Sequence, residues 1–154
     1  MGSDLDSADQ QYRQGIRQMY ALTAALISRD VDAMLYLMED AGGYAEALVP
    51  VSVVILDVES HWAGEGSDPL GSAADLVSES VTDAASVLKA TTMLQQGDME
   101  GCDREVRRIV GEEGYAGSVL ACATAIGAML MWRAARDGLS AVELARSRCV
   151  QAFV

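Results

Sequence analysis

The residues best suited to chemistry sit near the middle of the chain. Asp57 and His61 are four apart, which puts them on one face of a helix with Glu59 between them in sequence, and His61 is the only histidine. An Asp–His pair can bind a metal or exchange a proton. The plainer reading is a solvated last turn, where the negative end of the helix dipole favours a histidine. Glu39 and Asp40 would join such a site only if the helix carrying them packs antiparallel to the helix of Asp57. A carboxylate-bridged two-metal bundle needs Glu-x-x-His twice, which one histidine cannot supply. Magnesium sites made of acids alone need Glu pairs clustered on a helix, whereas the acids here are scattered and mostly aspartates at helix starts.

Other catalytic equipment is missing from the pattern. Gly-x-Ser-x-Gly does not occur. Cys102, Cys122 and Cys149 fall on apolar stripes, where a thiol stays protonated and inert. Gly64-Glu65-Gly66 is no phosphate loop, because the surrounding acids repel phosphate. The sequence therefore points away from an enzyme and assigns no catalytic residue and no cofactor. Asp57, Glu59 and His61 stand as an alternative metal or hydrolytic site.

Charge gives the stronger functional clue. The net charge is −12, which opposes binding to nucleic acid. Residues 1–88 hold fifteen acids against Arg13, Arg17 and Arg29, whereas residues 89–154 balance eight against eight. No Lys or Arg occurs between Arg29 and Lys89. The expected binding residues are Asp30, Asp32, Glu39, Asp40, Asp57 and Glu59. They would form an acidic helical face for a basic protein surface, as in an inhibitor, an immunity-type protein or an adaptor. Arg104, Arg107, Arg108, Arg133, Arg136, Arg146 and Arg148 supply a basic counterpart that could steer self-association into a homo-oligomer. The simpler role for the first of these is pairing along their own helix, as Glu100–Arg104 and Asp103–Arg107. A further alternative is a helical regulator with a small molecule bound between its core helices.

The elements that must position these residues are helices. Ala, Leu and Met abound and only Pro50 and Pro69 interrupt, so one all-α domain over 8–154 is expected, after a disordered acidic tail at 1–7. The first helix, about 8–28 after a Ser7 cap, buries Tyr12, Ile16, Met19, Leu22 and Leu26. Asp30 caps the second, about 31–41, with Met34, Leu35 and Met38 inward. The third, about 43–62, should kink at Pro50. Gly64, Gly66, Pro69 and Gly71 mark a loop, and Ser72 caps a fourth helix, about 73–96. Asp98 caps the fifth, about 99–112, with Met99, Cys102, Val106 and Ile109 inward. Gly114 opens the sixth, to about 137. Gly138 ends it, and a seventh runs from Ser140 with Leu139, Val142, Cys149 and Phe153 as its apolar contacts.

Two of these helices look like copies of one another. Gly43-Tyr44-Ala45 and Gly114-Tyr115-Ala116 each open an apolar rod ending at Trp62 and Trp132. At helical steps the first rod aligns Tyr44, Leu48, Val51, Ile55, Val58 and Trp62, the second Tyr115, Val119, Cys122, Ile126, Met129 and Trp132. Residues 26–32 also match residues 94–100, and Ser72-Ala73-Ala74-Asp75-Leu76 matches Ser140-Ala141-Val142-Glu143-Leu144. About seven helices are thus expected, as two three-helix units (8–71 and 72–138) and a closing helix (139–154). Residues 114–132 carry no charge, yet their small residues suit a central bundle helix better than a membrane span. Three widely spaced cysteines and an acidic amino terminus lead to an expected cytoplasmic location.

Overall fold

The computed structural model describes residues 2–40, 45–63 and 81–151, and the fold there is an all-α bundle without strands. The helices are α1 (Gly2–Ser28), α2 (Val31–Asp40), α3 (Ala45–Ala63), α4 (Val81–Gln95), α5 (Met99–Asp137) and α6 (Ala141–Gln151). Gly114, at φ 71° and ψ 175°, is the one non-helical residue inside α5 and splits it into two arms. With the arms taken separately, seven helical segments among the described residues match the seven expected. The Gly64–Gly71 turn, the Ser72 cap and Phe153 lie outside the described residues, as do the side chains of Tyr44, Trp62 and Tyr115.

Helix ends follow local chemistry. At the α1–α2 corner Arg29 is left-handed (φ 58°), and Asp30 N–H donates to the Ala25 carbonyl at 2.9 Å. The Asp30 carboxylate then accepts from Ala33 N–H at 3.2 Å. At the α4–α5 corner Gly97 is left-handed (φ 82°), Asp98 N–H donates to the Met93 carbonyl at 2.9 Å, and Asp98 accepts from Gly101 N–H at 2.9 Å. Each corner closes one helix and caps the next, satisfying groups that a helix end otherwise leaves open. The α5–α6 corner uses Gly138 (φ 69°) and Ser140 in the same way. One boundary differs from expectation. α1 begins at Gly2, ahead of the start expected after Ser7, so Ser7 lies inside the helix. α3 stays helical through Pro50, which faces solvent near the start of the helix.

The second arm of α5 is the hub. α5 packs against α1, α3, α4 and α6, and its residues 121–130 are all buried. Ala121, Ala123, Ala125 and Ala128 line it on several sides, so neighbouring helices approach closely around the whole circumference. Ala116–Asp137 is long and apolar enough to cross a bilayer, but most of it is covered by the other helices. Both predicted rods reach the core: Leu48, Val51 and Ile55 from α3, and Val119, Cys122, Ile126 and Met129 from α5. Buried hydroxyls are satisfied along their own helices, Thr23 on the Met19 carbonyl and Ser52 on the Leu48 carbonyl, each at 2.7 Å.

Several residues expected inward are exposed: Tyr12, Leu35, Val58, Met99 and Leu139. Leu139 lies in the corner between α5 and α6, and the others face sides of their helices that no neighbouring helix covers. α2 illustrates this, since it packs chiefly on α1 and turns Met34, Leu37 and Met38 to the core. Leu56→Ala, at a side chain with no exposure, should cost about 2–5 kcal/mol. Leu35→Ala, at a side chain 62% exposed, should cost less than about 0.5 kcal/mol in dilute urea titrations. Equal losses would contradict this packing.

Candidate functional site

Glu59 is the least expected feature of the interior. It lies on the α3 face that also carries Leu48, Ser52 and Leu56, and only 2% of it is exposed. A buried carboxylate needs donors or a counter-charge, and three other helices supply them. Tyr20 of α1 donates its hydroxyl to Glu59 Oε1 at 2.8 Å. Arg148 of α6 donates Nε to the same oxygen at 3.0 Å. Arg133 of α5 brings Nη1 to 3.6 Å from Oε2, and its Nε lies 3.7 Å from Asp137. Burial, reinforced by the negative charge of Glu59, raises the Tyr20 hydroxyl well above the ordinary tyrosine range. The phenol therefore stays protonated and serves as a donor.

The other predicted site residues do not gather around Glu59. Asp57 and His61 share a face of α3, with Oδ1 and Nε2 3.6 Å apart, and His61 is exposed. Gln95 of α4 donates to Asp57 at 3.1 Å and to the Ser60 hydroxyl at 2.6 Å. Glu59 is turned inward, so Asp57, Glu59 and His61 do not converge as ligands. Among the described residues no three His, Cys, Asp or Glu side chains are grouped to hold a metal. Asp30, Asp32 and Glu39 are exposed at the start and along the outer side of α2, and the Asp40 side chain lies outside the described residues. The predicted acidic set is thus divided, with Glu59 inside and Asp57 tied to α4.

The basic residues are divided as well. Arg107 pairs with Asp103 at 3.1 Å, and Arg108 pairs with Glu105 and Glu112. Arg136 binds Asp137 and sits 5.0 Å from the centre of the Trp132 ring. Arg133 and Arg148 turn inward to Glu59. Sequence reasoning placed Glu59 on the surface and assigned Tyr20, Arg133 and Arg148 no role at this site. The available signal was periodicity, since steps of four and three lead from Leu48 through Ser52 and Leu56 to Glu59.

Two depressions open beside α1, the second of them bordered by Tyr20 and Arg148. One, of about 360 Å³, lies between α1 and α2 and is lined by Gln14, Arg17, Gln18, Tyr36 and Leu48. The other, of about 220 Å³, is an apolar groove between α1 and α3 with Tyr12, Val54, Val58 and Arg148 on its walls. The thiols offer no nucleophile. Burial pushes Cys122 up to about 12, the Ser52 hydroxyl drawing it only partly back, and burial raises Cys102 and Cys149 too. No protein-family model, curated protein or solved structure matches the chain.

Glu59→Ala leaves two mostly buried arginines without this carboxylate and should cost about 3–5 kcal/mol, against about 1–2 for Tyr20→Phe. A loss no larger than that of Asp32→Ala would contradict the network. The pH dependence has a definite sign. The Tyr20 pKa is raised on folding, so its contribution is intact below the unfolded value of 10.0 and is lost as pH rises beyond it. Urea titrations between about pH 9 and 11 should show a steeper loss for the wild type than for Tyr20→Phe.

Proposed function

We propose that this chain is a non-enzymatic interaction protein whose docking surface is the outer face of α2. One observation carries the reading: Val31, Leu35 and Tyr36 are 61%, 62% and 69% exposed on a helix of ten residues. Asp30, Asp32 and Glu39 are exposed on or beside the same face. Large apolar side chains flanked by acids suit a partner with an apolar strip and a basic border. The acid-rich first half of the chain favours that choice of partner and would accelerate its approach. Relative to the wider acidic face expected from sequence, this surface omits Glu59, which is committed to Tyr20, Arg133 and Arg148, and Asp57, which is held by Gln95.

A second reading is a small-molecule regulator. The depression beside Tyr36 has a volume within the range of ligand pockets, and Gln14, Arg17 and Gln18 offer it polar groups. A ligand there would raise the thermal midpoint in a screen of small polar compounds.

The architecture fits the duplication proposed from sequence. The corners at Arg29-Asp30 and Gly97-Asp98, 68 residues apart, each carry one left-handed residue, arginine in the first and glycine in the second, with matching backbone bonds and an aspartate cap. α3 and the second arm of α5 both contribute buried residues to the core, which supports the reading. We therefore read α1–α3 and α4–α5 as two copies of one unit, with α6 closing the bundle.

The test of the docking surface is affinity capture from the native source at about 0.1 M salt, where surface charges still act over roughly 10 Å. Wild-type bait should retain a partner that bait carrying Asp32→Asn, Leu35→Ala, Tyr36→Ala and Glu39→Gln loses by tenfold or more. Equal retention by a folded variant overturns the proposal.

A further inference from the structure

The bend in α5 has a backbone cause rather than a packing cause. Gly114 sits at φ 71° and ψ 175°, a region that only glycine adopts readily. A Cβ placed there, or at Gly111 in the turn before, would meet nothing within 4 Å among the described residues. The glycine therefore serves the backbone conformation and not a close approach. The single proton of the buried Ser118 hydroxyl has two carbonyls in reach, Gly114 at 2.5 Å and, across the bend, Ile109 at 3.3 Å. One bond can replace the other as the angle between the arms changes.

The first arm, residues 99–113, and α4 form a hairpin around the Gly97 corner, and its two ends are held unequally. In the half farther from the corner, Ile109 of the arm and Ala84 and Val87 of α4 belong to the main core. Nearer the corner, a separate small cluster of Ala90, Cys102 and Val53 joins the hairpin to α3, with Met93, Leu94 and Val106 packed against it. At the end of α4 the attachment is polar and exposed: the Gln95 amide donates to Asp57 at 3.1 Å and to the Ser60 hydroxyl at 2.6 Å. Few buried side chains and exposed hydrogen bonds make this the weakly held end. Cys102 lies about 18 Å along the arm from Gly114, so a small rotation at the bend moves the corner end most.

We propose that α4 and the first arm of α5 swing together about Gly114, a hinge whose closed position is latched by Gln95 on Asp57 and Ser60 and whose open position uncovers Val53 and Cys102. The proposal is independent of docking on α2. The left-handed Gly97 and the Asp98 cap tie the two helices into one piece, so their internal hydrogen bonds persist as the pair moves.

Thiol labelling of the folded protein, mapped by mass spectrometry, reads the motion, because Cys102 lies in the small cluster and Cys122 in the main core. Without denaturant, Cys102 should label about tenfold faster than Cys122, and faster than the amides of residues 99–106 exchange with deuterium. Gln95→Ala should raise the Cys102 rate about threefold or more with no change at Cys122. Thr92→Ala, on the same helix but bonded only to its own Leu88 carbonyl, should change neither. Gly114→Ala strains the closed bend and should raise the Cys102 rate further, with Cys122 still protected and the circular dichroism of the wild type retained. Equal rates at Cys102 and Cys122 would mean global unfolding and overturn the hinge. So would Cys102 labelling that only keeps pace with exchange of residues 99–106, which is local unravelling. A Cys102 rate indifferent to Gln95→Ala removes the latch, and with it the proposal.

Discussion

The arrangement depends on one buried carboxylate. Among the described residues Glu59 and Glu105 are the buried carboxylates, and Glu59 is the deeper, set among apolar side chains and hydroxyls. Removing it from water is unfavourable by several kcal/mol unless donors replace the lost hydration. The replacements come from Tyr20 near the start of the chain and from Arg133 and Arg148 near its end. Their convergence ties α1, α3, α5 and α6 in one relative placement. Apolar packing alone would tolerate several registers among alanine-rich helices, whereas the hydrogen-bond directions at Glu59 discriminate between them.

The same group changes how the charge of the chain is understood. A charge-balanced second half with clustered arginines and an acidic first half suggest two surfaces waiting for partners. In the folded chain Arg133 and Arg148 are directed to Glu59, and Arg107 and Arg108 to acids on their own helix. Those exposed helical pairs contribute little to stability, but they leave the arm that bears them with no basic surplus. The acids remaining outside on the second and third helices' side of the chain include Asp30, Asp32 and Glu39, beside the exposed side chains of Leu35 and Tyr36. Attention therefore moves from a broad acidic face to one short helix held chiefly by α1.

The corners show how local chemistry prepares this result. Gly97 and Gly138 adopt a left-handed conformation at little steric expense, and Arg29 adopts it despite a Cβ that disfavours it by about 1 kcal/mol or more. The Asp30 cap and the backbone bond to Ala25 hold Arg29 there. This turn leads into α2, which turns Met34, Leu37 and Met38 to the core and leaves Val31, Leu35 and Tyr36 in solvent.

The all-α class, the helix order and the capping residues Asp30, Asp98 and Ser140 were legible in the sequence because they depend on neighbours three or four residues away. The central rods were legible for the same reason, since their apolar periodicity survives any choice of topology. Exposure at the edges of the stripes was not, because whether Leu35, Val58 or Met99 meets another helix depends on which helices lie beside it. Nor was the fate of Glu59, whose partners are 39, 74 and 89 residues away along the chain. A carboxylate in the last turn of a helix can belong to solvent or to the core. Only the packing of four helices, which brings two arginines and a phenol to one point, decides between them.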